Sequence, residues 1–209
     1  MLDVHAPHER IHGFRDFLLH LLTITIGLLI ALGLEGLVEM RHHHQLREEA
    51  DSNMRREIED NRKELAAVHA AVVKQREDLK NVLAYVQARS NNQSRKTNEL
   101  NVNFRFGTFK SASWSTASAT GALSFMDYSH VQKYADAYEL QTEFMALQRE
   151  TLQGILKTQA YFEYGFDPDK FPASDAEAAK SDVRLDLSQL TAIDQVGQTL
   201  DSVYAEALK

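Results

Sequence analysis

Phe17-Leu18-Leu19-His20-Leu21-Leu22-Thr23-Ile24-Thr25-Ile26-Gly27-Leu28-Leu29-Ile30-Ala31-Leu32-Gly33-Leu34 decides how this chain is read, because His20 is its only residue that is not apolar, small or threonine. Eighteen helical residues rise about 27 Å, and continuing through Val38 gives about 33 Å, close to the ~30 Å hydrocarbon thickness of a bilayer. The run predicts one transmembrane helix over residues 17–38, behind a short polar tail of residues 1–16. A cleaved signal peptide is the competing reading, since Ala31-Leu32-Gly33 is a passable small-x-small site. The run exceeds the roughly 7–15 apolar residues of a signal, and its leader balances Arg10 and Arg15 with Asp3, Glu9 and Asp16.

At about 100° per residue, His20, Thr23, Gly27, Ala31 and Glu35 share one side of this helix, and leucines occupy most of the rest. Small residues at i, i+4 let helix backbones approach, so this face predicts helix–helix packing and a homo-oligomer. Individually, His20 and Glu35 are as well explained by lying near the two membrane interfaces. Orientation is weakly encoded. Arg10 and Arg15 precede the span, and Arg41, Arg47 and Arg55 follow it, which leans toward a cytoplasmic body. A first apolar helix ahead of a long domain commonly acts as an uncleaved signal anchor, and this tips the reading toward a periplasmic body.

Working outward, no proline or glycine interrupts Glu39 to Ser90, so residues 39–90 are read as a long juxtamembrane helix continuous with the span. Leu46, Ala50, Met54, Ile58, Leu65, Val68, Val72, Leu79, Val82, Leu83 and Val86 recur at steps of three and four, which resembles a coiled-coil seam. Asn61 and Gln75 stand where the seam calls for apolar residues, so a helix packed in a bundle fits as well as a two-chain coil.

A polar loop at Ser90–Lys96 ends this helix and opens a polar, extended connector, residues 91–110. Within it Leu100, Val102, Phe104 and Phe106 alternate with Asn101, Asn103 and Arg105, the period of a strand. A lone strand lacks a partner, so an extended segment lying over a helical bundle is expected. Residues 111–209 complete the body: a short helix over Trp114–Met126, a longer one over Tyr128–Tyr164, a stop at Gly165–Pro172, and a helix restored from Leu187 to Ala207. The fold class is therefore all-α, a membrane helix running into a small bundle.

The whole chain has 209 residues, 25% of them charged, a net charge of −7 and no cysteine. The acidic balance argues against a nucleic-acid partner. Lack of cysteine removes thiolate nucleophiles, disulfides and cysteine-ligated metals. Charge is also segregated. Residues 40–160 carry 17 basic and 15 acidic side chains, whereas residues 161–209 carry four and ten. A solvated acidic face is the default for that last stretch, and packing against basic neighbours the alternative.

Seven of the nine histidines fall within the first 44 residues, three of them consecutive at His42, His43 and His44. Glu39, His42 and His43 stand at i, i+3 and i+4, which meets the Glu-x-x-His geometry of di-metal bundles once. The preferred reading is that these imidazoles hydrate the end of the membrane helix, leaving Glu39, His42 and His43 as minor metal candidates and no cofactor called for. No phosphate loop, dinucleotide turn or nucleophile elbow is present, so no catalytic residue is assigned. Asp127, Ser129 and His130 suit a helix cap better than a triad. Trp114, Gly121, Tyr128, Tyr134 and Tyr138 suit a core better than a ligand pocket.

Two segments carry a resemblance. Thr23 to Leu32 with Glu35, Glu39 and the histidine run, and Trp114-Ser115-Thr116-Ala117 with Ala119 to Leu123, Met126-Asp127-Tyr128 and Val131 to Tyr134, resemble the two recurring blocks of an uncharacterised family of short bacterial single-pass membrane proteins. The resemblance implies a bacterial inner-membrane protein and transfers no functional residue. The resulting expectation is a non-enzymatic, homo-oligomeric membrane protein that docks an unidentified protein partner or transmits a signal. An ion or proton conduit built from several membrane helices, or an extracytoplasmic ligand sensor, is the alternative.

Overall fold

The computed structural model describes residues 13–91, 93, 100–162 and 171–209. Most of the loop expected at 90–96, most of the stop expected at 165–172 and residues 1–12 of the expected tail lie outside these. Among the described residues the chain is all-α. A single 77-residue helix, α1 (Phe14–Ser90), is followed by α2 (Ala112–Ala119), a 3-10 turn (Ala122–Phe125), α3 (Tyr128–Ala160) and α4 (Ala173–Ala207).

At about 1.5 Å per residue α1 is about 115 Å long. Its first part, through Val38 and Met40, has no buried residue, and the body is built on the part beyond Leu46. There the seam is a regular heptad: Met54, Ile58, Asn61, Leu65, Val68, Val72, Gln75, Leu79, Val82 and Val86, none more than 8% exposed. The same chain covers all of it, so a two-chain coil along this seam is replaced by bundle packing. Its partners are α4, α2 and the 3-10 turn, together with the extended segment 100–111.

Cross-contacts give the directions. Arg62 meets Asp201, His69 meets Asp194 and Ser90 meets Glu177, so α4 runs antiparallel to α1. Tyr134 meets Asp51, Tyr138 meets Glu57 and Gln141 meets Asn61, so α3 runs parallel to it. The extended segment comes back between α1 and α3: Asn101 bonds Asp78, Asn103 is bonded by Gln75, and Lys110 is bonded by Asn61. Its nine steps at about 3.3 Å cover ~30 Å, matching the ~26 Å of the seventeen helical residues beside it. The body is thus an up-down-up-down bundle in which a strand-like segment takes the place of one helix.

Three boundaries differ from the sequence reading. The helix expected over Trp114–Met126 starts earlier, at Ala112, and stops at Ala119, because Gly121 turns the chain at φ 74°, a left-handed angle that glycine adopts without strain. α3 ends at Ala160, within the expected range. α4 begins at Ala173, well before Leu187, since its first half buries Ala176, Ala179 and Val183 and offers no large residue to signal a core face. Asp127 does cap α3, accepting from the Ser129 hydroxyl and from the Ser129 N–H at 2.9 Å, and those bonds, the hydroxyl first, hold its carboxyl below the usual range.

The acidic α4 is not simply a solvated face. Arg62 pairs with Asp201 through two bonds of 2.8 and 3.0 Å, Lys133 with Glu206 at 3.0 Å and Lys157 with Asp182 at 2.8 Å. These partly exposed pairs are worth ~0–1 kcal/mol each. Together they join one acidic helix to basic positions on both α1 and α3.

Candidate functional site

The small and polar stripe of the apolar helix is fully described. His20, Thr23, Gly27, Ala31 and Glu35 are all exposed, and no element among the described residues covers them. Thr23 donates to the Leu19 carbonyl at 2.9 Å and Thr25 to the Leu21 carbonyl at 2.8 Å, so both hydroxyls are satisfied within the helix and suit an apolar medium. A Cβ added at Gly27, Gly33 or Gly36 would meet nothing within 4 Å. The stripe is therefore open backbone available to a neighbouring helix.

The histidine run lies just beyond. Glu39 and His43 are 3.8 Å apart, His44 lies 3.1 Å from Glu48, and the rings of His42 and His43 are 6.3 Å apart and tilted. His43 stacks on Phe125 of the 3-10 turn, with centroids 3.8 Å apart and planes 16° apart. Among the described residues no three His, Asp or Glu side chains are arranged to hold a metal ion, Glu39, His42 and His43 included. The Phe125 contact escaped sequence reading because eighty residues separate the two rings.

No protein-family model, curated protein or solved structure matches this chain. Function has to be read from its own chemistry.

Inside the body, polar groups are concentrated around the extended segment. Asn61 donates to the Lys110 carbonyl at 2.8 Å and accepts from the Lys110 N–H at 2.9 Å, while its amide also reaches Gln141 Oε1. Gln141 donates to the same carbonyl and accepts from the buried Tyr204 hydroxyl. Gln148 accepts from the Gly107 N–H at 2.8 Å, and Gln75 donates to the Asn103 carbonyl at 2.8 Å. Side-chain amides thus supply the hydrogen bonds that a neighbouring strand would give. The two positions that looked like flaws in the heptad are explained by this arrangement.

The core reading of the aromatic residues holds for Tyr134 and Tyr138 and fails for Tyr128. Tyr134 and Tyr138 are core residues whose hydroxyls donate to Asp51 and Glu57 at 2.7 and 2.8 Å, and burial followed by those carboxylates pushes both phenols well above their ordinary value. Trp114 stacks on Tyr138, Gly121 makes its turn, and Tyr128 is 80% exposed.

A groove of about 380 Å³ between α1 and α4 is lined by Leu65, Ala66, His69, Asp194, Gly197, Gln198 and Asp201. His69 Nδ1 lies 2.7 Å from Asp194, which also faces Arg76 at 3.7 Å. The 2.7 Å approach lacks hydrogen-bond geometry, and no hydroxyl or thiol is among these lining residues, so the pair does not make a nucleophilic triad. His69 and Arg76 of α1 thus both approach Asp194 of α4.

A further buried ionisable group is Asp186, 1% exposed. Thr158 donates to its Oδ2 at 2.5 Å, and Oδ1 has no hydrogen-bond partner among the described residues. Desolvation, with the nearby Asp182, pushes the carboxyl up to about 6 against the opposing effects of Thr158 and Lys157. Because the folded value lies above the unfolded 3.8, stability falls as pH rises from about 4 through 6 and is lowest, for this group, above 6. Asp186→Asn keeps the Thr158 bond and brings a donor to the side of Gly154 where Gln189 Oε1 is also unpartnered. We expect it to stabilise the body by roughly 2 kcal/mol at pH 7 and little at pH 4, read by urea denaturation at both values.

Proposed function

We propose that this chain is a single-pass, homo-oligomeric protein of the bacterial inner membrane whose helical bundle serves as a non-enzymatic interaction or signal-transmitting module. One observation carries the reading: an apolar helix long enough to cross a bilayer has none of its span buried, while the bundle closes its core without it. Continuity of α1 from Phe14 to Ser90, through Ala31-Leu32-Gly33 with no extended break, supports an anchor over a cleaved signal. Bacterial origin rests on the two sequence blocks described above, and a periplasmic body on the anchor-type arrangement of span and long domain.

Because the seam beyond Leu46 is occupied within one chain, self-association belongs to the membrane stripe alone. Gly27→Leu tests it cleanly, since position 27 touches nothing in its own chain. Crosslinking in native membranes should trap oligomers of the unaltered protein and roughly tenfold weaker association of the variant, about 1.4 kcal/mol. A monomeric unaltered protein, or a variant that crosslinks equally, contradicts the oligomer. The conduit reading has less support: His20 and Glu35 are fifteen residues apart, about 22 Å along the axis, and the threonine hydroxyls near His20 are committed to backbone carbonyls.

A further inference from the structure

We propose that the 3-10 turn Ala122–Phe125 is a foot that rests in the lipid headgroup layer and fixes the angle between the bundle and the membrane. The inference rests on the membrane reading of residues 17–38 and goes beyond it by assigning a second, peripheral contact with lipid.

Level along α1 is the first argument. Phe125 stacks face to face on His43, five residues or about 7.5 Å past Val38. Helical side chains lean toward the helix N-terminus, which brings the stacked rings nearer still to the apolar boundary. The headgroup layer is about 5–7 Å deep on each side of the hydrocarbon, so Phe125 is held within its reach. Despite the stack the ring remains 36% exposed.

Composition is the second, independent argument. Ser111 to Met126 contains no charged residue in a protein of which 25% of residues are charged. Burial does not explain the gap, because Ser111, Ala112, Ser115, Thr116, Ser118, Ala119, Thr120, Ser124 and Phe125 are exposed. The end of this uncharged stretch nearest the span, Ala122–Phe125, carries an aromatic ring at its tip and suits the boundary between headgroups and acyl chains, where every fixed charge has a desolvation cost.

Rigidity is the third. Gly121 at φ 74° sets the turn, Ser124 N–H donates to the Gly121 carbonyl and Met126 N–H to Leu123, and buried Ala117 and Ala122 seat the unit in the core. A foot attached this way transmits position to the bundle, as a flexible loop would not.

The absence of cysteine makes site-directed spin labelling direct. The full-length chain would be reconstituted in nanodiscs of phosphatidylcholine and phosphatidylglycerol, labelled singly at Ser124→Cys, which leaves Phe125 in place, at Leu28→Cys in mid-span, and at Glu150→Cys on the exposed face of α3. Oxygen and nickel-chelate accessibilities then report depth. We expect the label at 28 deep in hydrocarbon, the one at 150 in water, and the one at 124 between them with several-fold lower nickel access than at 150. Adding Phe125→Ser to the Ser124→Cys chain should move its label toward the value at 150. A label at 124 as accessible as that at 150, while 28 is lipid-buried, overturns the foot alone. Water access at 28 overturns the membrane reading and the foot with it.

Discussion

Asn61→Leu is expected to destabilise the bundle by about 2–4 kcal/mol, although it completes the heptad with the residue a coiled coil would prefer. The change removes both bonds to Lys110 and the one to Gln141 at a site 1% exposed, leaving the Lys110 N–H without its acceptor. In a two-chain coil the same substitution exchanges a buried amide for an apolar contact and raises stability. The sign therefore distinguishes the two packings. Urea denaturation followed by far-ultraviolet circular dichroism measures it, and a gain in stability would show that the seam is not clamping the extended segment.

Gly107→Val should cost about 3 kcal/mol, for a different reason. Position 107 does not need an unusual backbone angle; it needs the absence of a side chain. A Cβ there would stand 2.4 Å from Val68 Cγ2 and 3.3 Å from Gln148 Oε1, the atom that accepts its own N–H. The collision is with the seam itself, so the extended segment would have to lift and break its bond to Gln148. Gly197→Ala is the matched control. Its Cβ would make only ordinary contacts, 3.4 Å from Phe144 and 3.5 Å from Leu65. In the interior of α4 it should gain up to ~1 kcal/mol from helix propensity. Thermal or chemical denaturation of the two variants should separate them in opposite directions.

Periodicity made the helices legible, because an amphipathic helix that buries large side chains announces its face every three or four residues. It failed at the start of α4, where alanines line the core, and at Gly121, where one glycine splits the expected helix in two. The alternation at Leu100–Phe106 correctly implied an extended segment without a sheet. Its register then changes: Val102 is buried on one phase, while Gly107 and Phe109 are buried on the other. That shift follows from the close approach to Val68, a tertiary fact with no local signal. Asn61 and Gln75 were visible as exceptions, but their meaning required the partner they bind. The same holds for the candidate site. The membrane stripe can be read at i, i+4 spacing, whereas the His43–Phe125 stack and the raised carboxyl of Asp186 depend on neighbours distant in sequence.

These features describe two parts that meet along one helix: an apolar span that packs against no other element among the described residues, and a bundle that closes its core without the span. Alkaline carbonate extraction of the full-length chain, alongside a chain lacking residues 14–38, tests that division directly. The account predicts that the full-length chain stays in the membrane pellet, and that the shortened chain is soluble and unfolds within a few degrees of the full-length body, since no core contact is lost. Release of the full-length chain by carbonate, or failure of the shortened chain to fold, would contradict it.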